Sequence, residues 1–174
     1  MASRLQQVAA AVVALIEQGE AQGVFAHSIT TERKYDTNLQ LEDTDVISVQ
    51  VIPAISNRTR LSQNTWNRDI ALDVMVRKRF PASSFDADGQ IEKEDIDIYV
   101  ELLEQIDDWL AVRSNSPLPA YELATYIEDD TKEADNNIVR ELGIRFPYLP
   151  DHLRELHQYT GILRVAYHVE ATDA

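Results

Sequence analysis

A chain of 174 residues with no cysteine has the length of one domain, able to bury roughly 70% of its unfolded surface, and excludes disulfides, thiolate metal sites and cysteine nucleophiles. Its formal net charge of -14 excludes a surface that grips nucleic acid everywhere, leaving only local basic patches. No apolar run reaches the length of about 18 residues that spans a bilayer.

The chain opens with "SRLQQVAAAVVALIEQGEAQG", where Leu5, Val8, Val12 and Leu15 recur at helical spacing with alanines between them. That pattern predicts an amphipathic helix from about Ser3 to Gln18, ended near Gly19 and Gly23, and argues against a secretory leader. The lack of cysteine suits a reducing compartment, so synthesis in the cytoplasm is expected. "VFAHSITTERKYDT" has the composition of a strand but alternates poorly. "DVISVQVIP" alternates well, with Ile47, Val49 and Val51 on one face and Ser48 and Gln50 on the other. A long polar connection, "AISNRTRLSQNTW", is expected to project from the body as a binding element. "NRDIALDVMVRKRF" returns as an antiparallel strand, with Ile70, Leu72, Val74 and Val76 facing inward, and ends in a basic knot of Arg77, Lys78 and Arg79.

Ile96, Tyr99, Leu103, Ile106 and Leu110 then repeat at spacings of three and four, which predicts a helix covering a sheet. "TYIEDDTKEADNNIVREL" is polar enough for a surface excursion, with room for a short strand or helical turn. "YLPDHLREL" predicts a brief helix with Pro150 near its start. "QYTGILRVAYHV" closes the chain as a strand, with Tyr159, Leu163, Val165, Tyr167 and Val169 on one face. Residues 1–174 are thus expected to form a single α+β domain, an antiparallel β-sheet backed by helices, in the order α-β-β-β-α-(excursion)-β.

Catalytic signatures are sparse. "FDADGQIEKEDI" resembles a calcium loop only superficially: Gly89 is fourth rather than sixth from Asp86, so the loop is about two residues short of a working site. The plainer reading is a turn followed by an acidic helix start. His152 and His157 lie five apart, off a common helical face, and His27 and His168 have no carboxylate partner in the pattern. Phosphate loops, dinucleotide fingerprints and nucleophile elbows do not occur. Catalysis thus has no positive support in these patterns, and no metal or cofactor is expected.

Charge is segregated along the chain. Arg58, Arg60, Arg68, Arg77, Lys78 and Arg79 belong to the hairpin, whereas ten acids between Asp86 and Asp108 fill the next turn and helix, with Lys93 alone among them. Two accounts fit: a solvated acidic helix beside a basic sheet edge within one subunit, or subunits that pair head to tail and close into a ring. In the second, Arg77, Lys78 and Arg79 would meet Glu101, Asp108 and neighbouring acids of the next copy.

"ERKYDTNLQLEDTDVISVQVIP", the polar loop, "DIALDVMVRKRF", "IYVELLEQIDDWL" and "PYLPDHLRELHQYTGILRVAY" together resemble, in order and pattern over Glu32 to Val169, the tail terminator proteins of long-tailed bacteriophages. The resemblance implies an α+β fold and a structural virion protein of the tail and neck that is not an enzyme. Such a protein forms a homo-oligomeric, hexameric ring that caps the tail tube and joins it to the head-completion or connector protein. It also implies passage of genomic DNA through the lumen without specific binding, no membrane, and an arm carrying Arg58 and Arg60 toward the tail tube protein. The chain departs from the family pattern in the excursion from Asp129 to Asn137 and at Gly161. Three alternatives stand beside it: another head-to-tail connector such as an adaptor or stopper, a small metal-dependent hydrolase using Asp86, Asp88 and Glu92, and an acidic DNA mimic.

Overall fold

The computed structural model describes residues 4–35, 45–60, 65–114 and 138–172. Eight principal elements follow one another: α1 (Arg4–Ala21), β1 (Thr30–Arg33), β2 (Ile47–Arg60), β3 (Thr65–Arg79), α2 (Lys93–Ser114), β4 (Ile138–Phe146), α3 (Pro150–Leu156) and β5 (Gln158–Thr172). The five strands form one sheet in the order β1-β2-β3-β5-β4, and helices pack on it, so the fold is α+β. The three central strands are antiparallel, pairing Val49 with Val76 and Val76 with Gly161.

Two expectations about the sheet need correction. It is mixed rather than antiparallel, because β1 runs parallel to β2 at the edge, from Thr30 opposite Ser48 to Arg33 opposite Val51. Side-chain alternation records which face a residue occupies and carries no information on strand direction. The excursion before the last strand also contributes β4, whose register on β5 shifts twice, between Val139 and Glu141 and between Ile144 and Phe146. Each shift breaks the period-two pattern by which a strand is recognised. The rest of the excursion, including Asp129 to Asn137, lies outside the described residues.

One face of the sheet is the core. Val49, Val51, Ile70, Leu72, Val74, Val76, Leu163 and Val165 are buried there. α1 covers the β1 and β2 side with Val8, Val12, Leu15 and Ile16, and α2 covers the β4 and β5 side with Leu102, Leu103, Ile106 and Leu110. Tyr99, expected in the core, packs against it only partly buried. The two helices are tied where Trp109 Nε1 donates to Leu15 O at 2.7 Å. Gly19 lies inside α1 rather than after it, and a Cβ there would fall 2.7 Å from the Phe25 ring. The turn out of the helix uses Gly23, with φ +69°.

The polar connection after Pro53 is mostly strand. β2 and β3 stay paired from Ile55 opposite Ala71 out to Arg60 opposite Trp66, and β5 accompanies them to Thr172 opposite Thr65. The result is a three-stranded arm. Ala54, Ile55, Ser56 and Asn57 on β2 are all exposed although Ile70 and Ala71 opposite them are buried, and an exposed strand segment need not show hydrophobic alternation.

Candidate functional site

The bases of the hairpin fall into two groups at opposite ends of β3. Arg58 and Arg60 are on the arm, with Arg58 directly opposite Arg68. Arg77, Lys78 and Arg79 are at the other end, where Arg77 faces Ser48 and Thr160 across its two neighbours. At about 3.3 Å per residue the groups are roughly 40 Å apart.

Arg77 is not a surface residue. Its side chain is 1 % exposed, on the sheet face opposite the main core, with Gln50, Gln158 and Thr160 buried around it. Nη1 donates to Gln50 Oε1 at 2.8 Å and Nη2 to Gln158 Oε1 at 3.3 Å. Gln50 in turn donates to Glu32 at 3.4 Å. Burial lowers the Arg77 pKa, partly countered by Glu32. The expectation that Arg77 reaches a neighbouring subunit is therefore corrected: alternation turns it away from Val76 onto a polar but covered part of the second face. Lys78 and Arg79, half-buried at the strand end, remain candidates.

Farther along the same face, Arg164 grips Asp73 with two hydrogen bonds, Nε to Oδ1 at 2.7 Å and Nη2 to Oδ2 at 2.8 Å. The residues are in register across β3 and β5. Beside them is an open depression of about 340 Å³ lined by Ile55, Asn57, Asp69, Ala71, Arg164, Ala166 and Tyr167. The sequence of one strand does not reveal this pairing, because strand register is not written in one strand alone.

Among the described residues, α2 concentrates acidic side chains. Glu94, Asp97, Glu101, Glu104 and Asp108 are exposed and recur at three, four, three and four, which lines them along one stripe of the helix. Glu101 and Asp108 thus share a face two turns apart. Asp107, beside the stripe, is half-buried, and its Oδ1 has no hydrogen-bond partner. Burial raises its pKa, and Asp108 and Glu104 add to the effect.

The loop before α2 uses its carboxylate internally. Asp86 Oδ1 accepts from the backbone N–H groups of Asp88 at 2.9 Å and Gln90 at 2.8 Å, and Gly89 takes φ +73°. Among the described residues no group of three or more His, Asp or Glu side chains is arranged to hold a metal ion, and no helix is long and apolar enough to cross a membrane. No protein-family model matches the sequence, and no curated protein matches it.

Proposed function

We propose that the chain is a structural protein of a bacteriophage neck, a tail terminator whose copies close into a ring, six by resemblance, that caps the tail tube, joins it to the head and lets DNA pass. The observation that carries this reading is the separation of charge. Bases are gathered on the arm and at the knot end of β3, and acids form a continuous exposed stripe on α2. A surface with opposite charges on different sides supports a heterologous contact, in which each subunit offers one half to each neighbour, and such contacts close into rings when the rotation permits. Lys78 and Arg79 would meet Glu101 and Asp108 of the adjacent copy, and Arg58 and Arg60 on the arm would face the tail tube. The bulk acidity suits a lumen through which DNA slides, since every phosphate held by Lys or Arg would add drag.

Negative-stain imaging and native mass spectrometry of the concentrated protein, alone and mixed with purified tail tubes, test this. Sixfold rings, or six copies per tube end, are expected. A protein that stays monomeric at high concentration and leaves tube ends bare would sink the proposal.

A further inference from the structure

The loop before α2 holds the chain's single Asp–Gly peptide bond, Asp88–Gly89, since no other glycine follows an Asp or Asn. Both residues are exposed, and a Cβ at Gly89 would meet nothing within 4 Å. Such a pair can react with itself. With the Asp88 carboxyl protonated, the Gly89 nitrogen attacks Cγ and gives up its own proton, and a carboxyl oxygen leaves as water. The product is a five-membered succinimide. Water then opens the ring: attack at Cγ restores aspartate, and attack at the Asp88 main-chain carbonyl leaves isoaspartate, whose backbone runs through Cβ and Cγ. Glycine favours the reaction because no side chain crowds its nitrogen.

The folded loop opposes this chemistry. Gly89 N–H donates to Asp86 O at 3.0 Å, which closes a β-turn over Asp86, Ala87, Asp88 and Gly89. Asp88, third in the turn, does not have positive φ, so the turn is of type I, with ψ of about 0° at that position. Ring closure needs a different ψ, one that brings the Gly89 nitrogen alongside the Asp88 Cβ, and rotation to it breaks the bond from Gly89 to Asp86. The Asp86 carboxylate holds the turn on both flanks of the reacting amide, because Oδ1 accepts from Asp88 N–H at 2.9 Å and from Gln90 N–H at 2.8 Å. The base of the loop is closed by Asp86 N–H donating to Gln90 O at 2.8 Å and by the bridge between Phe85 and Ile91.

We propose that Asp88–Gly89 is a site of spontaneous isoaspartate formation guarded by the Asp86 carboxylate: while Oδ1 holds the two flanking amides the reaction is slow, and once that hold is lost Asp88 converts. Conversion adds one carbon to the main chain inside a loop closed by the Phe85–Ile91 bridge, directly ahead of α2 and its acidic stripe. The chemistry is independent of whether copies of the chain form a ring.

Prolonged warm incubation of the full chain at neutral pH, followed by peptide mapping with electron-transfer fragmentation, counts isoaspartate at position 88. Asp86→Ala should accumulate it about two- to tenfold faster than the parent, the range spanned by one net hydrogen bond. Asp86→Asn keeps an Oδ1 acceptor and should stay close to the parent. Asp88→Glu, whose longer side chain cannot close the same ring, should form none. Unfolding the parent in urea removes the turn without a substitution and should speed conversion in the same direction. The guard is overturned if D86A is no faster than the parent, if D86N is as fast as D86A, or if the folded parent converts as fast as the unfolded chain. Absence of isoaspartate from both D86A and the unfolded parent would overturn the site itself.

Discussion

A guanidinium inside a protein is tolerated only when its donors are used, and Arg77 meets that condition through the oxygens of Gln50 and Gln158. Its two basic neighbours in sequence, half-buried at the strand end, experience a different medium, so three adjacent cations divide into one structural residue and two candidates for contact. Asp107 is the acidic counterpart, a carboxylate partly withdrawn from water with one oxygen unpartnered. Because its pKa is raised in the fold, by burial first and then by Asp108 and Glu104, the native state takes up its proton more readily than the unfolded chain. The residue's most favourable contribution exists below about pH 3.8 and is lost as pH rises through the folded value. Asp107→Asn, nearly the same shape without the charge, should therefore raise the denaturation midpoint at pH 7 and leave it unchanged near pH 3. Urea melts at the two pH values check this, and an equal shift at both would remove the electrostatic explanation.

At the scale of elements, α2 packs tightly on β5 over Gly161. A Cβ at that position would stand 2.5 Å from Tyr159 Oη and 2.9 Å from Leu103 Cδ2. Tyr159 cannot move freely, since its hydroxyl donates toward Pro147 O at 2.6 Å and Tyr99 O at 3.1 Å. The glycine is thus a packing requirement of the helix on the strand, and its departure from the resembled pattern has a local reason. Gly161→Ala should cost about 1–3 kcal/mol through overpacking and lower the melting temperature by several degrees, read by calorimetry. An unchanged midpoint would mean that α2 sits farther from the sheet. Much of this packing was legible in the sequence. Ile70, Leu72 and Val74 on β3, Leu163 and Val165 on β5, and Leu103, Ile106 and Leu110 on α2 showed their periods because each element turns large apolar residues to the core at a regular spacing. The arm lacks that contrast at Ala54 to Asn57, and β4 is broken by its two register shifts, so both read as loop. The burial of Arg77 was illegible for a different reason, since it depends on Gln50 and Gln158 arriving from two other strands.

For the whole molecule, the question is whether charge separation can hold copies together. Surface pairs such as half-buried Lys78 or Arg79 against Glu101 or Asp108 are each worth about 1 kcal/mol or less and are screened beyond roughly 8 Å at physiological salt. A ring repeats each pair at every interface, so small terms accumulate, but apolar contact must supply the rest. Assembly should accordingly weaken with added salt without disappearing. Reversal on the acidic side, Glu101→Lys with Asp108→Lys, alters two exposed positions of α2 and should leave the melting temperature nearly unchanged while reducing the ring population. Reversal on the basic side is best made at Lys78 and Arg79, because Arg77→Glu would put a carboxylate among buried amides and test folding instead of assembly. Combining Glu101→Lys and Asp108→Lys with Lys78→Glu and Arg79→Glu restores opposite signs across the same contact, and should recover part of the ring population in native mass spectra. That recovery distinguishes a direct pairing from a general effect of net charge, since the combined variant returns to the parent's formal charge. If both single-side reversals assemble as the parent does, the knot and the stripe are not the two halves of one contact. If both impair assembly and the combination gives no recovery, each side meets a different partner.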